Sequence, residues 1–360
     1  MSERRDRSNQ RGVALLLVLW IFMVLGVLAL DFGRYMRDDA QAALNFSAET
    51  RGYYVALAGM NRALFAALEV REQRLRGGAA APVEAEDADE EDDAVPLLAE
   101  TPVDGQWHRG EFAGAEYEVR MTDEGGRIPI NRVGRFVIET VVRNLLTGGN
   151  RTKGMNRRAA TDLETVVDSI LDWKDIDSLR RVRGAENDYY LSLRQPYRAK
   201  NAFLDSPEEL LSVRGMTPEL FYGVDGMPGL RDVISVHNRS GIVNVRATTP
   251  AVVQALLGME ETRAKEIVEH CDPATCLQSL RAEALVIDPR LPDRLGEDEP
   301  HTILVEARAD VREDRSRATV AAVVELASDE IEGMRVLRWL DRAPWEGALP
   351  TVPEAEDVVS

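Results

Sequence analysis

The residues best equipped for chemistry lie between Asp168 and Tyr190, where Asp168, Asp172, Asp175, Asp177, Glu186 and Asp188 place six carboxylates. Counted from Asp175 as position one, acids fall at positions one, three and twelve (Asp175, Asp177, Glu186), three anchor positions of an EF-hand loop. Positions five and six are Leu179 and Arg180, where that loop needs a ligand and a glycine, so the stretch is not an EF-hand. Oxygen donors at this density after a helix end suit calcium far better than zinc, which prefers Cys or His. The residues alone leave a second reading level with it, solvated acids in a surface loop. Paired carboxylates for acid–base catalysis lack companions. The four histidines (His108, His237, His270, His301) are scattered, and no serine elbow or glycine-rich phosphate loop accompanies them. The expectation is a protein that is not an enzyme.

Elements that would carry these acids are helical. Thr161-x-x-Glu164 reads as a capping box opening a helix from Asp162 to Trp173. From Val133 to about Leu285 the chain is mainly helical, with an internal repeat. Ser206-Pro207 through Gly215-Met216 aligns without gaps to Thr249-Pro250 through Gly258-Met259. Each copy has an N-cap, a proline at the first helical position and a glycine stop, and a second helix follows each, from Pro218 and from Glu261. Between the copies, Asp232–Val236 and Gly241–Val245 read as short strands. The unit resembles helix-hairpin-helix or sterile-alpha-motif-like modules, some of which grip DNA phosphates. A net charge of −18, from 62 acidic against 44 basic residues, argues against nucleic acid, whose binding rests on Lys and Arg. Cys271 and Cys276 are candidates for a disulfide in an oxidising compartment, with two free thiols as the alternative.

On either side of the helical region the pattern changes to period two. Glu116–Met121 alternates, Asp123-Glu124-Gly125-Gly126 supplies a turn, and Arg127–Asn131 resumes extended, which predicts a β-hairpin. Strands are expected again at Thr302–Arg308, Arg317–Leu326 and Met334–Leu340, as an antiparallel meander. Glu84–Asp93 is a run of acids that repels itself and buries nothing, and the tail from Pro344 is proline-rich and acidic.

The N-terminus decides where all this sits. Val13–Leu30 carries no charge, a length in the lower range for a membrane-spanning helix. Arg4, Arg5, Arg7 and Arg11 precede it, which puts residues 1–12 on the cytoplasmic side. A cleaved secretory signal would need a small-residue cut after Leu30, and Asp31-Phe32-Gly33-Arg34 offers none. A plain signal anchor is the second reading. The third rests on Gly12, before the apolar run, and on helical sequence running on to about Leu75. Phe46, Tyr53, Leu57, Met60, Leu64 and Leu68 mark its expected apolar stripe.

This third arrangement resembles the class III signal of pilins and pseudopilins, which implies cleavage by a prepilin peptidase after Gly12 and N-methylation of Val13. Most pilins carry glutamate at the fifth mature position, which here is Leu17. A carboxylate in the bilayer core costs about 2.5–3.5 kcal/mol without a partner. In pilins that partner is thought to be the subunit ahead, so its absence points to a subunit with none ahead, at the tip.

Taken in order, Arg11-Gly12-Val13 with its apolar run, Asp123–Asn131, Leu171–Asp177, Gly184-Ala185-Glu186 with Tyr189-Tyr190, and Ser206–Leu211 resemble the general secretion pathway protein K family, the large minor pseudopilin of type II secretion. The resemblance implies an α+β, pilin-like fold: a long N-terminal helix, transmembrane in its first half, plus an antiparallel sheet, with a large inserted all-α domain. It also implies structural calcium in that domain, carried over to Asp172, Asp175, Asp177, Glu186 and Asp188. The implied partners are the minor pseudopilins I and J at the pseudopilus tip, the prepilin peptidase and the inner membrane, with secretin and secreted cargo as candidate contacts. The implied location is the inner membrane, single-pass, with the C-terminal domain in the periplasm. The expected organisation is a leader (1–12), the long helix (13–76, with 13–30 in the membrane), an acidic linker (77–104), and the first part of the sheet domain (105–132). The helical insert (133–290), closing strands (300–343) and a loose tail (344–360) follow. A minor pilin of a type IV pilus and a membrane-anchored DNA-uptake protein are the alternatives.

Overall fold

Helix α1 runs unbroken from Ser8 to Leu75, 68 residues, about 100 Å at 1.5 Å per residue. The computed structural model describes residues 8–75, 103–148, 157–224, 226–270, 275–311, 316–326 and 333–341. The acidic run Glu84–Asp93, the tail from 344 and residues 1–7 lie outside them. From Leu15 to Ser47 no residue of α1 is buried, and its N-terminal part is long and apolar enough to cross a membrane. Burial begins at Ala48. From there Val55, Ala56, Met60, Ala63 and Leu64 pack onto a sheet. Phe46, expected in that stripe, is instead 72% exposed; it precedes the first residue that the sheet covers.

The sheet has five strands: β1 (His108–Phe112), β2 (Ala115–Asp123), β3 (Thr302–Val311), β4 (Ser316–Leu326) and β5 (Met334–Asp341). They lie in the order β1-β2-β3-β4-β5, every neighbour antiparallel. Period-two alternation turns Tyr117, Val119 and Met121 of β2, with Ile303, Val305 and Ala307 of β3, toward α1. The helix comes close because Gly59 faces the Tyr117 ring, where a Cβ would stand 2.4 Å from Cδ2. The opposite face carries Glu118, Arg120, Glu306 and Arg308.

Residues 124–301 leave the sheet after β2 and return at β3. The predicted hairpin is not formed there. β2 pairs instead with β1, through a turn with positive φ at Ala113 and Gly114. Asp123-Glu124-Gly125-Gly126 begins the excursion, and Ile128–Pro129 pairs in parallel with Ile234–Ser235. The apolar side chains of Ile128 and Ile130 find their core in the helical domain, which overrides the local turn signal. Asn131 anchors the crossing. Its Nδ2 donates to the carbonyls of Leu204 and Val236 at 2.9 and 3.0 Å, and its Oδ1 accepts from the Leu204 N–H at 2.9 Å.

That domain comprises α2 (Arg135–Thr147), α3 (Arg157–Lys174), α4 (Asn187–Tyr190), α5 (Pro218–Tyr222), α6 (Leu230–Val233), α7 (Pro250–Leu257), α8 (Glu261–Glu269) and α9 (Cys276–Ile287), around one apolar core. The helix expected to open at Thr161 opens earlier, at Arg157, so Thr161 lies within α3 and not at its start. The repeat is real in outline and unequal in detail. Its second copy is α7, capped by Thr249 Oγ1 accepting from the Val252 N–H, whereas its first, Pro207–Ser212, is a 3-10 helix. The two short strands expected between the copies do not pair with each other. Most of Asp232–Val236 splits into the end of α6 and Ile234–Ser235, while Val243–Asn244 pairs with Leu295–Gly296.

Candidate metal centre

α3 sets Asp168 and Asp172 one turn apart on the same side, with Asp175 just past its end. A helix C-terminus carries partial negative charge, so carboxylates there need a cation. Asp168 is buried; Arg135 donates to its Oδ1 and the Arg183 N–H to its Oδ2, the latter at 3.0 Å. Asp172 is completely buried. Its Oδ1 accepts from Arg181 Nη1 at 2.6 Å and its Oδ2 from the Arg181 backbone N–H at 3.2 Å. The same Nη1 donates to Asp175 Oδ2 at 2.5 Å. Burial raises the Asp172 pKa more than these bonds lower it. Lys174 ties the helix end to the sheet crossing: its Nζ donates to the carbonyls of Ile130 and Val133 at 2.7 and 2.6 Å. Burial, with the Arg181 charge nearby, lowers its pKa to about 8.

The chain then turns back over these acids. Gly184 has room for no side chain, since a Cβ there would lie 1.9 Å from Asp172 Oδ2. The turn of the first repeat holds this return in place. Arg214 Nη1 donates to the Gly184 carbonyl at 3.1 Å, its guanidinium stacks 4.6 Å from the Tyr189 ring centre, and its backbone N–H donates to Tyr190 Oη at 3.2 Å. Tyr190 is fully buried, its pKa pushed up to about 12 by burial, and its ring meets Trp173 edge-on at 5.2 Å. An apolar floor therefore underlies the acids.

Glu186 stands on that floor just ahead of α4. It is 4% exposed, and neither carboxylate oxygen has a hydrogen-bond partner. Burial raises its pKa first, and the charges of Asp172 and Asp175 raise it further; Asn201 and the Asn187 backbone oppose this without meeting hydrogen-bond geometry. Asp175 Oδ1 and Asn201 Oδ1 are likewise buried acceptors without a donor. Asn201 takes φ +48°, and its Nδ2 donates to the Asp177 carbonyl at 2.8 Å, which aims the side chain at the acid loop.

Of the five acids singled out by sequence, Asp172, Asp175 and Glu186 thus share one electrostatic neighbourhood. Asp177 is exposed and its Oδ1 accepts from the Leu179 N–H at 2.8 Å, while Asp188 is exposed and pairs with Arg180 at 3.2 Å. Sequence reasoning missed Asn201, Arg181 and Arg214. The run Arg180-Arg181-Val182-Arg183 inside an acidic stretch is the signal that would have found Arg181; Asn201 carried none. The orphaned oxygens are hard donors of the kind calcium takes. Among the described residues, however, no group of three or more acids, histidines or cysteines is arranged to hold an ion as it stands. Elsewhere, Cys276 is disulfide-bonded, and Cys271 lies outside the described residues. Gly12 and Val13 fall in the helical backbone of α1, their side chains outside the described residues, and Leu17 is exposed.

Residues 150–224 match the first-domain family model of type II secretion system protein K. No curated protein matches the chain. Among solved structures it is similar to a chain of the GspK-GspI-GspJ complex from the enterotoxigenic Escherichia coli type 2 secretion system. The TM-score is 0.49 at 14% identity, over 66% of this chain and 84% of that one. The matched stretch, similar to the first domain of type II secretion system protein K, holds every carboxylate of the candidate centre.

Proposed function

We propose that this protein is a non-catalytic minor pseudopilin, anchored in the inner membrane by α1 with its C-terminal domain in the periplasm, that caps the tip of the type II secretion pseudopilus and initiates its assembly. The observation that carries this is α1 itself. Residues 31–47 extend about 25 Å beyond the apolar segment and bury nothing, although Phe32, Tyr35, Met36, Leu44 and Phe46 are apolar and exposed. A bare helix with an apolar surface suits a subunit that packs side by side with other such helices. Leu17 supports the tip position, since a subunit with none ahead has no use for a carboxylate there. Pseudopilins of the I and J kinds are the natural neighbours, as in the complex just described, and the prepilin peptidase would act at Gly12–Val13. Mass spectrometry of protein made in cells with an active prepilin peptidase should find N-methyl-Val13 as the first residue. An intact Met1 would sink the reading.

Calcium is the ion that the domain is proposed to hold, on Asp172, Asp175 and Glu186, with Asn201 as a carbonyl donor and Asp177 and Asp188 at its edge. Bound there, it would supply charge neutralisation and fix the return loop, not reactivity. The melting temperature of the full-length protein in detergent should rise with calcium, and Glu186→Gln should remove the rise. No response to calcium or chelator in the wild type would return the acids to a solvated loop.

A further inference from the structure

We infer that Arg181 is the built-in counter-cation of this centre: its guanidinium closes the carboxylate site in the ion-free protein and must leave when calcium enters. This rests on the calcium reading above and adds a competition to it. Arg181 Nη1 lies between Asp172 Oδ1 and Asp175 Oδ2, at 2.6 and 2.5 Å, where a cation shared by those two carboxylates would itself sit. Like charges do not share such a place at hydrogen-bond distance.

Three further observations turn this ion pair into a plug. The guanidinium leaves the site unsatisfied: both oxygens of Glu186, Asp175 Oδ1 and Asn201 Oδ1 have no donor. A calcium ion takes six to eight oxygens and can use donors that a planar fork cannot reach. The arginine also has a way out, because its side chain is 37% exposed while Asp172 is wholly buried. And the outward posture is already populated by its neighbours. Arg180 reaches Asp188 at 3.2 Å and Arg183 reaches Glu164 at 3.3 Å, both exposed pairs. No group of acids among the described residues is arranged to hold an ion as it stands, so loading the site requires rearrangement, and withdrawal of Arg181 would be part of it.

Arginine and calcium are therefore ligands of the same carboxylates, coupled with negative sign, and removing one tightens the other. The test is calorimetric titration of calcium chloride into chelator-treated, full-length protein in detergent, for wild type, Arg181→Gln and Arg181→Lys. Arg181→Gln should bind calcium about tenfold more tightly than wild type and melt lower without the ion. Arg181→Lys keeps the charge without the fork and should fall between the two. Calcium bound by wild type with equal or weaker binding by Arg181→Gln overturns the plug and leaves the calcium site standing. If Arg181→Gln does not fold, the lysine variant decides, and affinity no better than wild type overturns the inference. Binding by Arg181→Gln alone supports it in its strongest form. No binding by any of the three removes the calcium reading and the plug together.

Discussion

Two parts of this molecule pair arginine with carboxylate, and they do so on opposite terms. On the outer face of the sheet, register sets Glu118 of β2 opposite Arg308 of β3, and Arg120 opposite Glu306. Arg308 Nε donates to Glu118 Oε2 at 2.7 Å, Arg109 Nε to Glu118 Oε1 at 2.8 Å, and Arg120 Nη2 to Glu306 Oε2 at 2.6 Å. Arg120 and Arg308 both stack on Trp107, at 4.6 and 4.0 Å. Each of these two carboxylates has at least one guanidinium there, and all of these side chains but Arg109 are partly buried. At the end of α3 the carboxylates outnumber the guanidinium that serves them, and Glu186 is buried with neither oxygen satisfied. A surface lattice of matched pairs contributes little stability but is complete, whereas a buried surplus of negative charge costs stability unless something is added. The difference sets the second region apart as the one where an added cation would relieve a cost.

Deleting one charge from each region gives the largest expected contrast. Glu186→Gln removes an unpaired buried carboxylate and should stabilise the ion-free protein by about 1–3 kcal/mol. Its burial is real but shallow, which argues for the lower part of that range. Glu118→Gln breaks two partly exposed pairs and should cost about 1 kcal/mol or less. Chemical denaturation in the presence of chelator measures both. Loss of stability in Glu186→Gln would mean that the carboxylate is satisfied in solution, and the contrast would collapse.

How far the sequence foretold these regions follows from where each one's information is local. The sheet strands were legible because alternation along Ala115–Asp123 or Thr302–Val311 reports the face that α1 covers, and each strand carries that pattern by itself. The false hairpin at Asp123–Asn131 shows the limit: a good turn signal lost to the burial of Ile128 and Ile130 against partners about a hundred residues away. Thr161 failed likewise, because a box of Thr and Glu reads the same inside a helix as at its start. In the centre, carboxylate density after a helix end brought out Asp172, Asp175 and Glu186. It did not separate them from Asp177 and Asp188, because chain spacing does not say which acid a returning loop covers. Asn201, fifteen residues beyond Glu186, reaches the loop only through the fold.

A smaller effect, and a sharper one because it differs in sign, is the response to pH without calcium. Glu118 has its pKa lowered: burial would raise it, but the bonds from Arg109 and Arg308 prevail. The folded sheet thus binds fewer protons at this group than the unfolded chain, so its contribution is present above the ordinary carboxylate range and is lost as pH falls through and below it. Glu186 and Asp172 have raised pKa values, through burial first. There the folded state holds protons that the unfolded chain has released, so stability falls as pH rises from the ordinary range, about pH 4–5, toward the folded values. Local hydrogen exchange, corrected for its intrinsic pH dependence, should show residues 115–123 gaining protection as pH climbs up to the ordinary carboxylate range, and residues 171–190 losing it as pH climbs on above that range. Glu186→Gln should flatten only the second trend. Calcium should reverse it, because an ion that binds carboxylate and not carboxylic acid stabilises more as protons leave. Parallel slopes in the two segments would show that the surplus charge at the end of α3 is already neutralised without an ion, and the two regions would then differ in burial alone.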